Sequence, residues 1–396
     1  MNSLMRDNEK LEVILDRFYN VFNKYNSDVL KMLGEKVKQF DGLTPSEAHK
    51  LAQEMKYSTD IRNITRELSR ISGKSMQEID ELLDRVAKEN IEFAETYFKD
   101  IEDYEHNDRV RRYVETIKKE TKELFKDLSK TKNLGFTLKD RNGNMIFTPF
   151  EQAYKDLIDK AVYNVSTGVI DYQSAMRNTL NQLANSGVKI HEEKTTYESG
   201  YQRRIDSSVR QAILTGMRKV NMGIQEMVGK EFGANGVEIS YHFPCADDHI
   251  DIQGRQYSNK QFEKLNANLM RPIGELNCTH FIFSIILGVN EPNESEEYLN
   301  KLKRMSKETI TYKGKEYTPY EATQVQRKLE TAIRRQKDRQ IISRASGDDI
   351  GIMKAQKKIT QLTTEYYNFS KKADLDVYKN RMVVSGYNRL KSYDKK

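Results

Sequence analysis

"VEISYHFPCADDHIDIQGRQYS", residues 237–258, is where the pattern of the chain changes. Val237, Ile239, Tyr241 and Phe243 alternate with polar residues, which predicts a half-buried strand over 237–243. Most of the chain on either side repeats at three and four residues instead. The fold class expected is therefore mainly α with a small α+β core, and this stretch lies at the centre of that core.

Working outward, Leu11, Ile14, Leu15, Phe18, Val21, Phe22 and Tyr25 form the apolar face of a first helix. Thr44, Pro45 and Glu47 read as an N-cap, a first-turn proline and a capping box. Ser75 and Glu78 read as a second box opening a long helix, and Val110 to Leu128 continues in the same style. Asn142-Gly143 is a hairpin or turn signal, and Thr148-Pro149-Phe150-Glu151 reads as another helix start. Asp171 caps the next helix, Ser186-Gly187 ends it, and a further helix runs from about Tyr201 to Glu231. A compact hairpin about Lys313-Gly314 puts short strands near 309–318. Thr318-Pro319-Tyr320-Glu321 opens a basic helix that "SGDD", 346–349, interrupts before a last helix. The organisation expected is an elongated helical amino-terminal arm or bundle over 1–140, an α+β core over 145–300, and a basic helical segment over 301–396.

The composition fits long, solvated helices: 37% hydrophobic, 32% charged, six prolines and no tryptophan. No stretch is apolar for long enough to span a membrane, and "MNSLMRDNEK" lacks the apolar run of a signal peptide, so the expectation is a soluble protein made in a cytoplasm. The net charge of +7 conceals an asymmetry. Residues 301–396 hold 24 Lys and Arg against 11 Asp and Glu, which leaves residues 1–300 net negative. Arg327, Lys328, Arg334, Arg335, Lys337, Arg339 and Arg344 are the candidates for contact with a polyanion such as DNA, weighed evenly against a solvated helix face with ion pairs.

His242, His249, Cys278 and His280 fall within 39 residues, and their donor atoms suffice for a tetrahedral zinc site. The spacing is not that of a finger or ribbon, and buried Cys and His are more often packed or hydrogen-bonded than ligating, so no cofactor is the leading expectation and zinc the alternative. Cys278 with His249 or His280 and an acid from Asp247, Asp248 or Asp251 supplies the residue types of a thiol hydrolase. Cys245 and Cys278 are too few for a disulfide framework, although one bridge between them is open. Gly254 reads as a tight turn. There is no Gly-rich phosphate loop, no His-Glu-x-x-His helix and no dinucleotide fingerprint.

The quoted stretch, followed by "RPIGELNCTHFIFSIILGVNEP" at 271–292, resembles the phage minor capsid protein 2 family. The residues carrying the resemblance are Ser240, His242, His249, Gln253, Gly254, Tyr257, Asn277, Cys278, His280 and Gly288. "AVYNVSTGVIDYQSAMRNTLNQLANSGVK", "YESGYQRRIDSSVRQAILTGMRKV" and "YEATQVQRKLETAIRRQKDRQ" extend it over about 145–385, and the first 140 residues are expected to be a variable arm. Thr279 stands where the family has Arg, and "PCADD" replaces a Gly-Ala-Arg-Pro stretch, which sets Cys245 outside the shared motif.

The family is similar in role to phage Mu protein F and related head morphogenesis proteins. The resemblance implies a structural protein, not an enzyme. It would be a virion component inside the capsid near the portal, in multiple copies, with portal protein, major capsid or scaffold protein, and packaged double-stranded DNA as partners and no membrane. Its role would lie in head morphogenesis, DNA packaging or ejection. The alternatives are a metal-binding or hydrolytic enzyme on the His/Cys cluster, and an effector that leaves with the genome.

Overall fold

A computed structural model of the chain describes residues 8–55, 57–128, 133–140, 142–169, 171–191, 203–275 and 278–390. Eleven α-helices and eight short strands are found among them. The helices are α1 (Asn8–Lys38), α2 (Pro45–Glu54), α3 (Tyr57–Ala94), α4 (Asp108–Leu128), α5 (Phe150–Ser166), α6 (Tyr172–Ser186), α7 (Ile205–Glu231), α8 (Asn259–Ala267), α9 (Glu296–Lys307), α10 (Pro319–Ser346) and α11 (Asp349–Lys372). The strands are β1 (Leu134–Lys139), β2 (Met145–Pro149), β3 (Lys189–Ile190), β4 (Gly236–Ile239), β5 (Gln256–Ser258), β6 (Ile282–Ile285), β7 (Ile310–Tyr312) and β8 (Lys315–Tyr317). They form two three-stranded antiparallel sheets, β2-β1-β3 and β5-β4-β6, and the hairpin β7-β8. Mainly α with a small α+β part is the observed class.

The apolar stripe of α1 explains its place. Leu11, Leu15, Phe18, Phe22, Tyr25, Val29, Leu33 and Val37 are all buried, each contributing about 1.5–3 kcal/mol, and α1 lies against α7 and α10. One large core joins these residues to α3, α4, α5, α6 and α7. Gly34 lets α1 approach α10 closely, since a Cβ there would sit 2.7 Å from the Ala345 Cβ and from the Ile342 carbonyl oxygen.

The basic helix α10 is packed by α1, α6 and α11. It offers few apolar side chains to that core, and Gln326, Glu330, Asp338, Gln340, Ser343 and Ser346 are buried along it. These are satisfied by polar partners, as buried polar groups must be. Asp338 accepts from Arg204 and from Asn26, Gln326 donates to Ser370, and Tyr366 donates to Glu330. Arg177 of α6 grips Asp348, the N-cap of α11, through two bonds of 2.6 and 2.7 Å.

Several local signals appear as read. Thr44 and Thr318 close capping boxes, Asp171 caps α6, and Gly187 and Gly347 end α6 and α10 with positive φ. Asn142-Gly143 turns β1 into β2, and Lys313-Gly314 turns β7 into β8. Others do not. Ser75 is buried inside the continuous helix α3, because Ile71 and Ile79 carry one apolar stripe through it. Thr148 pairs with Phe136 in the sheet and makes no cap bond to α5. The strand expected over 237–243 stops at Ile239, and all four of its residues are buried rather than alternately exposed. Glu238, on its polar side, is covered by Gln256 and Asn293, which both donate to it. Helix α7 starts at Ile205, and Tyr201 lies outside the described residues. Cys245 and Cys278 are both free.

Candidate functional site

Sheet topology assembles the cluster. β4 is the central strand, antiparallel to both neighbours, so its carboxy-terminal end meets the start of β6 and the start of β5. Beyond the last sheet pair, Ile239 with Ile282, Ser240 still exchanges with Phe281: its N–H donates to the Phe281 carbonyl, and its hydroxyl accepts from the Phe281 N–H, both at 2.9 Å. His242 and the Cys278-x-His280 pair are thereby laid side by side. On the other edge, the Gly254 N–H donates to the Ile239 carbonyl, which brings Gln253 to the same end, and a 3₁₀ turn at Asp247–His249 delivers His249.

His249, Cys278 and His280 converge, with one donor atom from each lying within 4.8 Å of the others. Cys278 Sγ is 3.3 Å from His280 Nδ1. His280 Nε2 donates to Gln253 Oε1 at 3.1 Å, and the same oxygen accepts the His242 backbone N–H at 3.0 Å. His249 Nε2 donates to the Arg271 carbonyl at 2.6 Å. His242 packs its ring on that of His280, 4.3 Å between centroids, but both its nitrogens are engaged: Nδ1 donates to the Pro244 carbonyl and Nε2 accepts from the Thr279 hydroxyl. Thr279 thus has a partner inside the motif.

Burial pushes the His280 imidazole well below its ordinary pKa, with the neighbouring His242, His249 and Arg218 adding to the effect, so it is neutral. Burial opposes charge on Cys278 and His249 most strongly. Their mutual hydrogen bond and attraction, the backbone hydrogen bonds from Gly274 and His280 to the sulfur, and the bond from the His249 ring to the Arg271 carbonyl outweigh it in sum, lowering the thiol and raising the imidazole. Cys245 lies outside this pairing, and burial pushes its thiol up to about 12.

Asp248 lies 4.0 Å from His249 Nε2, too far for a hydrogen bond, so among the described residues no acid holds the ring as in the hydrolase reading. The group orienting His249 is a carbonyl; Asp248 is turned to Arg271 at 2.9 Å, and Asp251 to Lys303 at 2.7 Å. Sequence reading missed Arg218 of α7. Its side chain is buried beside Cys278, and Nη1 and Nη2 find no acceptor among the described residues. Nothing local marks it, because 60 residues separate it from Cys278.

The remaining described motif residues take up turn and packing positions. Gly254 has φ +71°, and a Cβ there would come within 2.4 Å of Leu299 Cδ2. Tyr257 donates to the Ile252 carbonyl and packs on the small core of Val237, Ile239, Phe262 and Ile273. Gly288 turns the chain after β6 with φ +78°. Asn277 lies outside the described residues. A match to phage minor capsid protein 2 runs over residues 7–370.

The chain belongs to the phage minor capsid protein 2 family.

That match begins just ahead of α1, so it takes in the amino-terminal helices as well as the motif. The family places the chain in the phage virion as a minor capsid protein. No curated protein and no solved structure matches the chain. No helix among the described residues is long and apolar enough to cross a membrane.

The seven basic candidates of this minor capsid protein divide by exposure. Arg334 bonds the Arg381 carbonyl and stacks on Tyr19, Lys337 donates to the Met382 carbonyl at 2.6 Å, and Arg339 donates to Asn185 at 2.7 Å. These three are half-buried within the fold, and burial draws the Lys337 amine down to about 8. Arg327, Lys328, Arg335 and Arg344 are exposed.

Proposed function

We propose that this minor capsid protein sits inside the head at the portal and turns a basic carboxy-terminal face to the packaged DNA, serving head morphogenesis, packaging or ejection without catalysing a reaction. The observation that carries the DNA part is the outer face of α11. Residues 350–364 contain Lys354, Lys357 and Lys358 and no acidic residue, and all three lysines are exposed. Spaced i, i+3, i+4, they share one side of the helix. Arg344, at the end of α10, and Lys371 and Lys372, at the end of α11, are exposed as well.

Such an array neutralises phosphates without reading bases, which suits a protein that meets the genome irrespective of sequence. Attachment to the portal, in several copies, with major capsid or scaffold protein nearby, rests on family membership. Titration of the full chain against duplex DNA at rising salt tests the DNA part. Affinity should fall steeply and equally for unrelated duplexes, and a flat salt response would contradict it. Co-sedimentation with assembled portal protein tests the attachment.

A further inference from the structure

We propose that Cys278, His249 and His280 form a zinc site, with the Cys278 thiolate and the Nδ1 atoms of the two histidines as ligands and a fourth position open to the adjoining cavity. The argument is a count of protons and lone pairs. Gln253 Oε1 accepts a backbone N–H, from His242, so that atom is the amide oxygen, and His280 Nε2 beside it must carry a hydrogen. The Arg271 carbonyl likewise requires a hydrogen on His249 Nε2. With both Nε2 hydrogens placed, each ring offers an Nδ1 lone pair, and one further proton, that of the Cys278 thiol, must serve both, whether it rests on sulfur or on His249. Cys278 is the neighbour both rings share.

One thiol proton can satisfy one of those lone pairs, while His249 and His280 are 2% and 1% exposed. The other is left buried without a donor, which destabilises the apo cluster. A divalent cation of borderline softness answers both. Zinc binds Cys sulfur and His nitrogen at about 2.3 and 2.0–2.1 Å, so a tetrahedral S-to-N edge is about 3.6 Å. The observed 3.3 Å is already close to it. Ties from ligand Nε2–H groups to carbonyl oxygens are the outer-shell arrangement that fixes ligating histidines.

Two further features agree. Arg218, buried with Nη1 and Nη2 lacking acceptors among the described residues, sits where a thiolate would give it a negative partner. A cavity of about 440 Å³ opens on the cluster, with Tyr320, Arg271 and Arg327 on its walls, and gives both an entry path and room for a water as fourth ligand. Binding is balanced as Zn²⁺ plus the neutral thiol giving the zinc thiolate and one proton, which leaves to solvent through the cavity.

The test is metal analysis of the full chain, purified without chelator and gel-filtered. The expected content is about one zinc per chain. Cys278→Ser and His249→Ala should abolish it, and His242→Ala should retain it. Cobalt(II) added to the zinc-depleted protein should give thiolate charge-transfer absorption, a readout that needs no variant to fold. Alkylation of Cys278 by iodoacetamide, followed by peptide mass spectrometry, should be slow in the isolated protein and rise about tenfold once zinc is chelated. The proposal is overturned by wild-type protein with neither stoichiometric zinc nor cobalt charge transfer, by zinc that persists in Cys278→Ser, or by fast alkylation before chelation, which would mark a free nucleophilic thiol.

Discussion

Arg204 and Asp338, 134 residues apart, meet in the middle of the protein, Nη1 to Oδ2 at 3.0 Å, where the aspartate has no exposure at all. Asp206 lies 3.3 Å from Arg204 Nε, and Asn26 of α1 links Asp338 to the backbone at Val188, donating to the carboxylate and accepting from the Val188 N–H. The residue leading into α7, the middle of α1 and the middle of α10 are thereby fixed to one another. Burial raises the Asp338 carboxyl while Arg204 opposes it; for Asp206 burial acts the same way, but Arg204, Arg334 and hydrogen bonds from Tyr19 and Asn23 together hold it below the usual range.

Breaking this pair should be costly. Asp338→Ala leaves the Arg204 cation buried with Asp206 as its remaining anion, and the loss expected is on the order of 3–5 kcal/mol in urea unfolding. A double-mutant cycle with Arg204→Met should recover part of it. Additive losses would show that the two residues do not act as a pair.

Lys189 gives a pH dependence of definite sign. Burial, with the Arg204 and Arg335 charges, brings its amine from 10.5 to about 8. Between those values the unfolded chain holds the extra proton, so the penalty is complete below pH 8 and is relieved as pH rises towards 10.5, by on the order of 2–3 kcal/mol. Lys189→Met should stabilise the protein at pH 7 and remove the upward slope between pH 8 and 10. An unchanged slope in the variant would assign it to other groups.

The shared motif makes its own prediction. Gln253→Ala strands two N–H donors, the part-buried one of His242 and the buried one of His280, and should cost about 1–3 kcal/mol. Gly254→Ala adds a Cβ at φ +71° against Leu299 and should cost more than about 1 kcal/mol. Thermal unfolding of each variant measures both, and wild-type stability in either would remove the architectural role assigned here.

For DNA, replacing Lys354, Lys357 and Lys358 together by Gln should reduce the slope of log affinity against log salt by about 0.9 per lost phosphate contact. The same change at the half-buried Lys337 and Arg339 should leave the slope alone. The reverse pattern would place the interface on α10.

The helices were legible wherever a local cap coincided with the apolar stripe, as at Thr44 and Thr318. They were misread where tertiary packing prevailed, as at Ser75 inside α3. β6 escaped notice because Ile282 to Ile285 is buried on both faces and shows no alternation. β5 was too short to stand out beside the turn at Gly254. The site was half legible. Residue type and proximity selected His249, Cys278 and His280, but the carbonyl of Arg271 and the guanidinium of Arg218 arrive through the fold and leave no trace in the spacing. The basic tail was legible as charge. Which of its cations face outward depends on α10 being enclosed by α1, α6 and α11.

The most direct test of the proposed function is a reconstruction of the intact virion that resolves its portal vertex without imposed symmetry. The account predicts density for this fold on the inner side of that vertex, in several copies, with α11 facing the DNA. Density on the outer capsid surface, or α11 turned away from the genome, would contradict it.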